Sequence, residues 1–165
     1  MPKTSVNLKS LSQSLGLSQT TVSRALNGFP EVNEKTRLRV VEAAAKMNYR
    51  PSPSASTLAT GKAKAIGHVV PLADHRMINP HFSDFIAGAG EVYAKHGHDM
   101  LIRAVRTEDE ESVYREFASG KRVDGVVVHG PLIDDPRIAL LKSLNIPFVV
   151  HGRVGGSNEA YAWLD

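Results

Sequence analysis

Cysteine is absent from the 165 residues. That excludes a disulfide scaffold, a cysteine-ligated zinc site and a thiol nucleophile. No apolar run approaches the roughly 20 residues of a membrane helix, so no membrane partner is expected. The start, Met1-Pro2-Lys3-Thr4-Ser5, leads into a polar segment without an apolar export stretch, and a cytoplasmic location is the expectation. Signatures of common enzyme sites are missing too. There is no Gly-x-Ser-x-Gly, and Gly61-Lys62 lacks the loop that would precede it in a phosphate-binding motif. Gly88-Ala89-Gly90 has Tyr93 where a nucleotide fingerprint would need its third glycine, so these glycines are expected to let a helix approach a sheet closely. Seven histidines include one tight pair, His96-Gly97-His98, with no zinc spacing around it. The cluster Glu108-Asp109-Glu110-Glu111 reads as the charged first turn of a helix, where negative charge meets the dipole favourably, rather than as paired catalytic carboxylates. No catalytic residue, metal or cofactor is expected, and the chain is not expected to be an enzyme.

Enough is present to fold. Hydrophobic residues make up 42% and charged ones 22%, so apolar burial can offset chain entropy. Charge is unevenly spread. Residues 1–62 carry nine Lys and Arg against three Asp and Glu, whereas residues 63–165 carry eleven against fourteen. A basic front on a mildly acidic remainder suits a nucleic-acid-binding head joined to a body with another task.

Three short helical patterns open the chain. Asn7 can cap a helix bearing Leu8, Leu11 and Leu15, and Gly16 can end it in the left-handed region. Ser18 can cap a second helix running to about Asn27, before Gly28-Phe29-Pro30 breaks it. Asn33 can cap a third, with Val40, Ala44 and Met47 on one face, ended by Asn48-Tyr49-Arg50-Pro51. Residues 51–61, rich in Ser, Pro and Thr, mark a linker. Beyond it, strands and helices alternate. Strands are expected at Ala65–Pro71, His98–Val105, Val123–Val128 and Pro147–Val150, and helices at Phe82–His96, Glu108–Ser119 and Pro136–Leu144. This alternation predicts a parallel sheet with helices on both faces, and its continuous Val/Ile runs suit strands buried on both sides. Ala160 to Asp165 reads as a fifth strand beginning. A sheet stopping there would leave an edge bare, so the chain is expected to be the front of a longer protein. The fold class is therefore a small all-α head, a linker, and part of a parallel α/β domain. The boundaries are 1–50, 51–62 and 63–165.

Within the second helix, Val22, Ala25 and Leu26 form an apolar inner face. Thr20, Arg24 and Asn27 line another face, with Gln19, Thr21 and Ser23 beside them and no acidic residue. Gln can pair with adenine, Arg can grip guanine, and Thr can meet several base edges in a major groove. Ser18, Thr21, Ser23 and Asn27 carry short polar groups suited to phosphate oxygens. Two helices joined through Gly16-Leu17 fit a helix-turn-helix, although the same spacing also fits a plain helical hairpin with a polar face. The linker is equally open: a flexible Ser/Pro tether, or a helix of about seven residues capped by Ser52 with Pro53 in its first turn and Ala55, Leu58 and Ala59 on one side. A helix that short needs a partner to bury its apolar face.

Taken together, Val6 to Asn27 with its Thr21-Val22-Ser23-Arg24 run, Val32 to Arg37, and Asn48-Tyr49-Arg50-Pro51 closely resemble the head of the lactose/galactose repressor family. Ile66 to Pro71, Asn79-Pro80-His81-Phe82, Val123 to Val128 and Ile146 to Arg153 resemble that family's sugar-binding-protein-like core. The resemblance implies a dimer or higher homo-oligomer bound to double-stranded operator DNA and controlled by a small effector, most simply a sugar. It implies base readout by Gln19, Thr20 and Arg24, and backbone contacts by Ser18, Thr21, Ser23 and Asn27. It also implies a hinge helix whose Ala55 and Leu58 face the minor groove, Leu58 as a wedge between base pairs. The effector contacts map near His81, Phe82, His129 and Arg153, on loops beyond the strand C-termini. Phe82 as core, His129 as a solvated loop residue and Arg153 as a surface ion-pair partner are the competing readings. A regulator answering to a non-sugar metabolite and a small-molecule-binding module without a DNA role are the alternative functions.

Overall fold

The computed structural model describes residues 6–72, 80–153 and 160–164, with the backbone alone for Pro80 and His81. The chain divides into two compact units, Met1–Gly61 and Lys62–Asp165.

Four helices make the first unit: α1 (Leu8–Leu15), α2 (Gln19–Leu26), α3 (Glu34–Lys46) and α4 (Pro53–Thr60). Each begins where a side chain can satisfy the orphan amides of the first turn. Asn7 and Ser10 form a reciprocal capping box, and Ser18, Asn33 and Ser52 accept from the amides of Thr21, Thr36 and Ala55. α1 ends at Gly16 with φ at +64°, a conformation glycine adopts without a Cβ penalty. Leu11, Val22, Ala25, Val32, Val40 and Ala44 form the core of the three-helix head. Pro53 sits at the start of α4, where its missing amide costs nothing. No residue of α4 is buried.

The second unit is a five-stranded parallel sheet in the order β2-β1-β3-β4-β5. Its strands are β1 (Ala65–Pro71), β2 (Asp99–Val105), β3 (Gly125–His129), β4 (Phe148–His151) and β5 (Ala162–Leu164). Between them lie α5 (Pro80–Lys95), α6 (Glu110–Gly120) and α7 (Pro136–Ser143). The order reverses at β1, so right-handed crossovers place α5 on one face and α6 and α7 on the other. Under α6 and α7 lies a dry core of Val69, Val113, Phe117, Val126, Val128, Ile138, Leu141 and Val150. Gly67 belongs to this contact: a Cβ there would stand 2.9 Å from the Phe117 ring.

Three local expectations are corrected. β3 starts at Gly125 rather than Val123, because the Asp124 carboxylate turns to accept from the backbone amides of Ala63 and Lys64 at 2.8 and 2.7 Å. The helix expected from Glu108 opens as a 3₁₀ turn, Thr107–Asp109, before α6. Gly88 and Gly90 do not mark a close approach to the sheet, since a Cβ at either would meet nothing within 4 Å.

Candidate nucleic-acid interface and ligand pocket

In the first unit, α2 buries Val22 and Ala25 and leaves Gln19, Thr20 and Arg24 exposed. These three expected base readers therefore share an accessible surface. Ser18 caps the helix, and its hydroxyl lies 2.9 Å from that of Thr21, so two of the expected backbone-contact groups are held together at the N-terminus of α2. The amides of that turn favour an anion. Arg24 meets Glu31 at 3.4 Å across a shallow recess that Ser18, Thr20, Thr21 and Thr36 also line. Asn27 is engaged within the protein: its amide NH₂ donates to the Ser23 carbonyl at 2.9 Å, and its side-chain oxygen accepts from the Ser56 hydroxyl at 2.6 Å. This last bond ties the end of α2 to α4. Ala55 is exposed, and Leu58 is 89% exposed.

In the second unit, the parallel register decides what meets. His68 pairs with Val127, and His129 pairs with His151. Side chains alternate along a strand, so His68, His129 and His151 point to the same face, the one covered by α5. There His68 Nδ1 lies 2.8 Å from His129 Nε2, His129 Nδ1 lies 3.2 Å from His151 Nδ1, and the Tyr93 hydroxyl lies 3.3 Å from His68 Nε2. Phe85 stacks on His151 with centroids 4.5 Å apart, and Phe82 meets the His129 ring edge-on at 5.2 Å. His68 and His129 are buried. Burial lowers the His68 pKa to about 4. Burial, with the neighbouring His68, His151 and Arg137, lowers that of His129 to about 3. Both rings are therefore neutral near pH 7.

Of the expected effector contacts, Phe82 and His129 come together. Both ring nitrogens of His129 are engaged by other histidines, so its ring orients neighbours from a buried position. Arg153 is exposed, with its guanidinium 3.9 Å over the Trp163 ring. The His81 side chain lies outside the described residues. Sequence reasoning passed over His68, Tyr93, Phe85 and His151. A signal was available: a histidine stands within or closes each of three valine-rich strands, at His68, His129 and His151.

A second buried cluster braces the loop after β3. Arg137 donates to Asp135 (Nη2 at 2.6 Å), to Glu110 at 3.0 Å and to the Gly130 carbonyl at 3.1 Å. Glu110 also accepts from the Tyr114 hydroxyl at 3.1 Å. Burial opposes ionisation of Asp135, yet hydrogen bonds from Arg137 and the Leu132 amide hold its carboxyl below the usual range. The acidic cluster expected to be a charged helix start thus contributes one carboxylate, Glu110, to the interior. Among the described residues, no group of three or more His, Asp or Glu side chains could hold a metal, and no helix is long and apolar enough to cross a membrane.

Residues 8–52 match a family of bacterial regulatory proteins, the lacI family. Over 160 residues the chain is 49% identical to the HTH-type transcriptional regulator AglR of Rhizobium meliloti (strain 1021), covering 97% of this chain and 45% of that protein. It is 38% identical over 160 residues to the HTH-type transcriptional regulator RafR of Escherichia coli, covering 97% and 47%. It also resembles the crystal structure of the lac repressor dimer bound to operator and the anti-inducer ONPF, with a TM-score of 0.67 and 26% identity over 88% of this chain and 44% of that one. The chain spans a little under half the length of the curated relatives it matches.

Proposed function

We infer that the chain, whose residues 8–52 match the lacI family of bacterial regulatory proteins and which resembles the regulators AglR and RafR along nearly its whole length, belongs to that family and serves a sequence-specific, effector-controlled transcriptional regulator, a repressor of carbohydrate-use genes. The observation that carries this reading is the outer face of α2, where Gln19, Thr20 and Arg24 stand exposed beside a capped helix N-terminus. Gln19, Thr20 and Arg24 read base edges in the major groove, and Ser18, Thr21, Ser23 and Asn27 meet the phosphate backbone. Residues 1–50 form the head and 51–62 the hinge. Two copies of α4 pair in the minor groove of a palindromic operator, where Leu58 enters between base pairs and Ala55 lets the helices approach.

Residues 63–165 supply one wall of the effector site. It lies beyond the C-termini of β1, β3 and β4, beside the point where strand order reverses. Phe82 offers a ring to a sugar face, Arg153 and His81 are its expected polar partners, and His129 acts from its buried position through the rings it orients. Effector binding shifts the balance between two arrangements of the regulator, one of which lets the hinge helices form. The protein works in the cytoplasm as a homodimer or larger homo-oligomer and catalyses no reaction.

Fluorescence anisotropy with inverted-repeat duplexes taken from the vicinity of its own gene tests this reading. Tight binding whose log affinity falls steeply with log salt is the expected result. Salt-indifferent binding, or no preference for any inverted repeat, would overturn it.

A further inference from the structure

Tyr93, His68, His129 and His151 come from four different elements, yet they are hydrogen-bonded end to end. Among the described residues no carboxylate belongs to this chain of contacts, and the described charge that bears on His129 from outside it is the cation Arg137. A protonated His68 or His129 would thus be buried without a counter-ion among them, so these two rings are neutral. A neutral imidazole carries one N–H and one lone pair. Every link must pair a donor with an acceptor, and with one proton on each ring only two arrangements satisfy all three links at once. In one, Tyr93 donates to His68 Nε2, His68 Nδ1–H donates to His129 Nε2, and His129 Nδ1–H donates to His151 Nδ1. His151 then keeps a proton on Nε2. In the other, every proton is reversed, and His151 Nε2 carries a lone pair.

The two arrangements differ in strength at the tyrosine end. A phenol is a better donor than an imidazole N–H, and an imidazole nitrogen is a better acceptor than a phenol oxygen. The first arrangement puts both groups in their stronger roles. We propose that Tyr93 directs a proton-ordered chain through His68 and His129, which fixes the Nε2–H of His151 as a hydrogen-bond donor and so selects ligands that present an acceptor oxygen there. Tyr93, His68 and His129 are positioning residues acting through His151. Reversal would release one proton from His151 Nε2 to water or ligand and take one from water at the Tyr93 oxygen, with no net change in charge. The ligand-selecting part rests on the second unit being the effector body. The chain itself does not, and it is tested without ligand.

The experiment is long-range ¹H–¹⁵N correlation NMR of the ¹⁵N-labelled, ligand-free 165-residue chain at pH 7.5, which reports which nitrogen of each ring carries the proton. The expected pattern is Nδ1–H at His68, Nδ1–H at His129 and Nε2–H at His151. The reversed pattern would overturn the directing role of Tyr93, and unlike tautomers at His68 and His129 would overturn the chain. In Tyr93→Phe the fixed pattern is expected to give way to averaged ¹⁵N shifts at all three rings. Retention of the wild-type pattern in that variant would overturn the proposal, because a merely space-filling Tyr93 leaves the tautomers unmoved.

Discussion

The guanidinium of Arg24 lies 3.4 Å from the carboxylate of Glu31, with the two side chains 51% and 47% exposed. An exposed pair of this kind contributes about 0–1 kcal/mol, whereas a bidentate arginine–guanine contact is worth about 1–3 kcal/mol. On the proposed reading, Arg24 would leave Glu31 for a matching base but keep it on other DNA. Glu31→Gln is expected to raise affinity for non-operator duplex several-fold and for operator less, so that discrimination falls. Arg24→Ala is expected to cost roughly 1–3 kcal/mol on operator and relax choice at one base position. Anisotropy titrations on operator and scrambled duplexes check both; equal weakening by Arg24→Ala on all sequences would make it a phosphate contact.

Leu58 is 89% exposed on a helix with no buried residue. Burying such a side chain is worth about 1.5–3 kcal/mol. Leu58→Ser is expected to weaken operator binding by about that amount and to reduce the DNA bend seen by gel mobility, with the melting temperature of the free protein unchanged. A normal bend with Leu58→Ser would remove the wedge role. Circular dichroism should also show helix gained on operator binding.

Caps made the helices legible. Asn7, Ser18, Asn33 and Ser52 each start a helix where a short polar side chain precedes an apolar pattern, and Gly16 ends one. The strands were legible as valine runs, and β1 has the expected bounds. What stayed hidden depends on register between distant segments. Nothing local in Gly67-His68-Val69 says that His129, 61 residues on, will hydrogen-bond that ring. Glu110 looked like its acidic neighbours, and only packing against α7 sets it apart by pairing it with Arg137. Gly88 and Gly90 misled because a helix glycine has no periodic signature separating close packing from open space.

Arg137 is 10% exposed and bonds two carboxylates that are themselves 0% and 12% exposed, Asp135 and Glu110. Removing the cation leaves both buried and uncompensated. Arg137→Met is expected to destabilise the second unit by about 3–5 kcal/mol, measured by urea unfolding. Neutralising the acids as well, in Arg137→Met with Asp135→Asn and Glu110→Gln, should recover part of that loss. A single variant as stable as wild type would mean that water reaches the cluster.

The histidine chain makes the second unit acid-sensitive in a defined window. His68 and His129 have folded pKa values near 4 and 3, well below the ordinary 6.5, because burial disfavours the cation. Above pH 6.5 both states of the protein leave these rings neutral. As pH falls below 6.5 the unfolded chain takes up protons that the folded one refuses, and stability drops by up to about 1.4 kcal/mol per pH unit for each ring. The loss levels off only as pH passes the folded values. Asp135, held below the usual carboxylate range, adds its own loss beneath about pH 4. Unfolding free energies of the second unit at intervals from pH 7.5 to 4.5 should follow this slope, and His68→Val should make it shallower by about one proton. A pH-independent stability over that range would show that the rings are open to water and not the closed, neutral chain described.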